Sequence, residues 1–122
     1  MVVKHSVDVE SQAVKGANKS TVQVLISAQE GPNFILRRFI IEPGGIIPKH
    51  TNTVEHEQYV LHGKACISIN MEVFTVEAGD VVFIPAGAAH WYVNNGQTNF
   101  EFLCIIPNKK DEIKFVEESN NC

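Results

Sequence analysis

Cysteine is scarce in this sequence and badly placed for cross-linking. Its three copies, Cys66, Cys104 and Cys122, are an odd number at wide spacings, with no CxxC pair. Neither a disulfide framework nor a cysteine-ligated zinc site is expected. Cys66 and Cys104 fall in apolar, strand-like segments, where buried free thiols are expected. Excess positive charge is missing too: 10 Lys and Arg face 14 Asp and Glu, for a net charge of −4. With no basic run or patch, nucleic acid and anionic membranes are not expected partners. Long apolar runs are also absent. Stretches such as residues 102–107 are far too short to span a bilayer. The opening residues, Met1-Val-Val-Lys-His, lack a basic stretch followed by an apolar one, so no secretory leader is expected and a cytoplasmic location is.

Helical periodicity is nearly absent as well, and what replaces it is informative. Short apolar runs recur, separated by Gly, Pro and Asn, which is the pattern of an all-β chain. Strands are expected near residues 2–9, 21–27, 34–42, 56–61, 64–70, 73–76, 80–84, 90–94, 100–106 and 113–116. Breaks are expected at Glu30-Gly-Pro-Asn, Pro43-Gly-Gly, Pro85-Ala-Gly and Asn94-Asn-Gly, all sequences with turn chemistry. Residues 10–20 are polar and are expected to form a loop, and the charged end of the tail after Pro107 to fray. Apolar residues make up 44% of the chain, enough for one domain over 1–122 with a core barrel at about 21–107. Many short strands at near-regular spacing suit a sandwich, a jelly roll or a barrel.

Five histidines stand out in this frame. His5 and His62 have no evident partners and are expected at the surface. His50 and Asn52 are two apart, so on an extended segment they share a face. His56 shares a face with Gln58 and Val60, opposite Glu57, Tyr59 and Leu61. His90 follows the Pro85-Ala-Gly turn. Imidazoles so far apart in sequence meet only if a closed sheet brings their strands together.

The spacing of these residues resembles the two motifs of the cupins. Gly79, Pro85, Gly87, His90 and Asn94 fit the second motif without a gap. Gly44, His50 and Gly63 fit the frame of the first, with Asn52 in place of its second His and His56 in place of its Glu. The phrase Val54-Glu-His-Glu-Gln-Tyr-Val-Leu resembles small single-domain cupins whose metal site is all-histidine. The resemblance implies a double-stranded β-helix, or jelly-roll, barrel. It implies one divalent transition-metal ion per chain on His50, His56 and His90. Asn52 would bind the ion directly, hold a water, or do neither. Imidazole suits Zn, Cu, Fe and Ni, so ligand type does not name the metal, and Mn, Fe, Cu, Ni and Zn stay undistinguished. A site without carboxylates leaves the ion's charge uncompensated, making it a stronger Lewis acid.

Candidate residues for binding or catalysis are Arg37, Gln58 and Cys104. Alternation turns one of Arg37 and Arg38 towards the interior, where a guanidinium would grip a substrate carboxylate; pairing with a Glu or across an interface is the alternative. Gln58 would orient water or substrate. Cys104 is either core or a cavity-lining thiol. Of Trp91 and Tyr92, one should point in and one out. By resemblance, the expected function is a metal-dependent, dioxygenase-like oxidoreductase acting on a small organic molecule. The alternatives are a non-catalytic small-molecule binding or sensing cupin, and a metal-dependent isomerase or lyase. A homodimer is expected, packed through the Tyr59/Leu61 face and the apolar strands near the N-terminus.

Overall fold

Alternation of apolar and polar residues builds this chain, and segment 56–62 displays it most simply. There His56, Gln58 and Val60 are buried while Tyr59 and Leu61 are exposed. Ten such strands form one curled sheet in the computed structural model, which describes residues 1–116. They are β1 (Ser11–Ala13), β2 (Asn18–Ile26), β3 (Phe34–Asn52), β4 (His56–His62) and β5 (Lys64–Ile69), followed by β6 (Glu72–Glu77), β7 (Val81–Ile84), β8 (His90–Val93), β9 (Phe100–Pro107) and β10 (Ile113–Phe115). Every pairing is antiparallel, and the main path runs β6-β5-β8-β3-β9-β4-β7. The expected all-β jelly-roll class is what the chain adopts. Among the described residues no helix is long and apolar enough to cross a membrane.

The long strand β3 organises the molecule, because it pairs with β2, β8, β9 and β10 in turn. The break expected at Pro43-Gly44-Gly45 is not a break. The chain bends there, with Gly44 at φ +82°, but stays in the sheet. Gly44 N–H donates to Asn94 O at 2.8 Å and Asn94 N–H donates to Gly45 O at 3.0 Å. Asn94, wholly buried, fastens this corner by donating from Nδ2 to Ile41 O and Thr98 O and accepting from Gly96 N–H.

Three further expectations are corrected. Residues 2–9 form no strand. Ser6–Asp8 is a 3-10 turn capped by His5, whose Nδ1 accepts from Val7 N–H; Val2, Val3 and Val7 are exposed, so their alternation has no core to face. Segment 10–20 is not all loop, because Ser11–Ala13 pairs with Thr21–Gln23 as a hairpin. Cys66 is buried but disulfide-bonded, not a free thiol. The fraying expected at the chain's end concerns residues outside those described.

The core lies inside the curl, built from Ile41, Val60, Ile67, Ile84, Phe100, Phe102 and their neighbours. Both Trp91 and Tyr92 are buried, although alternation pointed one of them outward. Tyr92 joins the core cluster and lines the cavity, while Trp91 lies on the other face of β8, opposite Ser68 of β5.

Candidate metal centre

Register brings the three histidines together. His50 near the end of β3 pairs with His90 at the start of β8, and their rings lie 4.2 Å apart, centre to centre. His56, the first residue of β4, sits 5.6 Å from His90. Asn52 ends β3 and is buried beside them. His5 and His62 stay apart from this group, as expected, and each makes a local bond to the backbone.

Hydrogen bonds fix which ring nitrogens face inward. His50 Nδ1 lies 2.8 Å from Pro48 O and His90 Nδ1 lies 2.9 Å from Ala88 O. A carbonyl only accepts, so both Nδ1 atoms carry the proton and both Nε2 atoms keep a lone pair. Metal-binding imidazoles are held this way. His56 Nδ1 contacts Cys104 Sγ at 3.3 Å, and its buried Nε2 has no partner. Asn52 is held just as firmly: Nδ2 donates to Asp111 Oδ2 at 2.8 Å, which leaves Oδ1 buried and unpartnered. A buried acceptor without a partner is uncommon and costs about 1–3 kcal/mol.

Two unpartnered donor atoms and two bare Nε2 atoms make a neutral N/O donor set suited to a transition-metal ion. Among the described residues, however, no three His, Cys, Asp or Glu side chains are already closed around an ion position. The fit therefore lies in donor chemistry, not in a preformed cluster.

Burial keeps these imidazoles neutral. Desolvation lowers His56 to about 3, helped by the nearby charge of Arg37, and lowers His90 to about 4; His50 is lowered by the same cause. The unfolded chain therefore binds more protons than the folded chain between pH 6.5 and these values, and stability falls as pH falls through that window. Metal-stripped protein should melt at a lower temperature at pH 5.5 than at pH 7.5. The expected loss is roughly 1 kcal/mol for each of His56 and His90. Equal melting temperatures would contradict it.

The histidines open on a cavity of about 330 Å³. Its wall includes Phe39, Ile47, Tyr92 and Phe102, and strand β10 closes one side with Ile113 and Phe115. Arg37 and Gln58 both line it, as their place on the inward face requires. Cys104 does not; it is fully buried core under His56. Arg38 points the other way and pairs with Glu101. Glu57 also faces outward, and Glu55 beside it raises its pKa. Sequence reasoning missed Asp111, Lys15 and the apolar residues of β10. They come from segments with no periodic signal of their own, and only the pairing of β10 with β3 carries Asp111 to Asn52.

Comparisons with known proteins agree with this fold. The polyketide cyclase RemF from Streptomyces resistomycificus superposes with a TM-score of 0.89 at 31% identity, over 98% of this chain and 87% of that one. The oxalate-binding protein of Thermotoga maritima is 33% identical over 73 residues, which are 59% of this chain and 60% of that protein. Acireductone dioxygenase 1 of Nocardia farcinica is 29% identical over 80 residues, 62% of this chain and 42% of the enzyme. The chain thus spans less than two thirds of the length of these two curated relatives. The family model of the cupin domain matches residues 37–106, more than half of the chain and a span holding all four candidate ligands, so this chain belongs to the cupin family.

Proposed function

We propose that this cupin is a metal-dependent enzyme acting on a small, oxygen-bearing organic substrate held in the cavity, with one divalent transition-metal ion on His50, Asn52, His56 and His90. The supporting observation is the pair of buried, unpartnered donors, Asn52 Oδ1 and His56 Nε2, beside two histidines whose Nε2 atoms are bare. When bound, such an ion supplies Lewis acidity that no carboxylate ligand weakens. The chain's own residues do the rest. Asp111 holds the Asn52 amide in the acceptor-inward orientation. Phe39, Ile47 and Phe102 keep the cavity wall apolar, which strengthens electrostatic contacts inside it. Gln58 donates to Tyr92 Oη at 2.7 Å, so the phenol proton is free to be donated to a substrate oxygen. Burial raises the Tyr92 pKa, so the phenol acts as a donor and not as a base.

Two reaction types suit this site. Oxygenation, the expectation from sequence, is supported by the similarity to acireductone dioxygenase. Ring closure by carbon–carbon bond formation is supported by the polyketide cyclase, whose match extends over nearly the whole chain, and is the reading we favour. Both are tested on untagged protein: metal content by mass spectrometry, then turnover of diketones, catechols, flavonols and short poly-β-ketones, in air and under argon. Close to one ion per chain and turnover lost on chelation are expected. Ring closure continues under argon, whereas oxygenation stops and in air consumes dioxygen. A metal-replete protein that retains a ligand and turns nothing over is a binding module instead.

A cytoplasmic homodimer belongs to the same proposal. Tyr59 and Leu61 on β4, Val81 and Phe83 on β7 and Ile105 on β9 are exposed apolar residues on neighbouring strands. A monomer mass by light scattering would end that part.

A further inference from the structure

We infer that the cavity selects a small carboxylate with an apolar body, and that Arg37 is the residue that reads its charge. The inference rests on the reading of this cavity as a substrate site. Its first support is the distribution of charge. Among the described residues two cations, Arg37 on the wall and the exposed Lys15, line the cavity, and no Asp or Glu does.

The second support is what Arg37 lacks. Arg38 is matched by Glu101 and lies near Gln23 Oε1 at 3.4 Å. Arg37 has no carboxylate partner among the described residues. Its guanidinium makes one long contact, from Nη2 to Cys104 Sγ at 3.5 Å, and its Nε is buried with no partner. A thiol is a weak acceptor, so the charge is nearly uncompensated. Bringing a guanidinium inside without a counter-ion is costly, and a ligand anion removes that cost.

The third support is geometric. Arg37 pairs across the sheet with Cys104 of β9, which in turn pairs with Gln58 of β4, so the guanidinium stands in the same inward row as Gln58. Its carbon sits 4.9 Å over the ring of Phe39, and Phe39 stacks on Phe102 at 5.1 Å. This packing limits the freedom of the side chain, and a planar fork held in place matches a carboxylate bidentately. Val22, Ile47 and Ile113 add apolar wall that suits a hydrocarbon body.

The test is calorimetric titration of the full chain, as purified, with 2-naphthoate and with its neutral analogue 2-naphthamide, with metal content measured on the same samples. Wild type is expected to bind the naphthoate at least about tenfold more tightly. Arg37→Gln is expected to abolish that preference, with naphthamide affinity and metal content unchanged. Arg37→Lys keeps the charge without the fork and should retain only part of the preference. Equal wild-type affinities, no binding of either probe, or a preference that survives in Arg37→Gln overturns the inference. If Arg37→Gln does not fold, the wild-type comparison and Arg37→Lys decide. A metal-free wild type that keeps an Arg37-dependent preference ends the metal-enzyme reading and leaves this one standing; a metal-loaded wild type without the preference does the reverse.

Discussion

Replacing His56 with alanine should cost this protein most of its capacity for the proposed metal ion. His56 contributes a buried Nε2 that nothing else in the fold satisfies, so its removal deletes a donor that no neighbour replaces. The affinity loss should exceed the roughly 10–100-fold that follows removal of a group merely supporting a ligand. That smaller effect is expected for Asp111→Ala. Without the acceptor at 2.8 Å, the Asn52 amide turns freely and its oxygen faces the site only part of the time. His62→Ala is the control, because this exposed histidine bonds only to Asn99 O and should leave metal content unchanged. Mass spectrometry of the three variants beside wild type, after reconstitution with Fe, Mn, Cu, Ni and Zn in turn, gives the ranking. A His56→Ala protein as full of metal as wild type would remove His56 from the site. A wild type that takes up none of the five would end the metal reading.

Gly63→Ala is expected to be among the most destabilising single-methyl additions in the chain. Gly63 has φ +82°, where an alanine costs about 1–2 kcal/mol on backbone grounds alone. A Cβ there would also lie 2.2 Å from Asn99 O and 3.1 Å from Phe100 Cα. These are backbone atoms at the entry to β9, and they cannot rotate aside as a side chain does. Overpacking of this kind adds about 1–3 kcal/mol. The sum, about 2–5 kcal/mol, corresponds to a melting point lower by roughly 10 °C. Gly87→Ala separates the two causes. Its φ is +83°, but a Cβ there meets nothing within 4 Å, so only the backbone cost applies. Equal thermal shifts for the two variants would show that the contact with Asn99 contributes nothing.

Gly63 and Gly87 were legible in the sequence because a positive φ leaves few residue choices. The strands were legible because period-two alternation is local: His56, Gln58 and Val60 reveal their shared face without a partner strand in view. Where alternation met no core, as at Val2, Val3 and Val7, it misled. Where a bend is held by neighbours, as at Gly44, turn chemistry misled in the opposite sense.

Sequence alone thus determined the all-β class, the cupin motif frame and which residues share a face with each histidine, because each follows from the order of residues along one segment. Tertiary structure alone decided that Arg37 faces the cavity while Arg38 meets Glu101, that Cys104 is core, and that Asp111 orients Asn52. The physical reason is the same in each case. Alternation says that two neighbouring side chains point opposite ways, but only cross-strand register says which way is in, and only the pairing of β10 with β3 sets an aspartate from the tail against an asparagine 59 positions earlier.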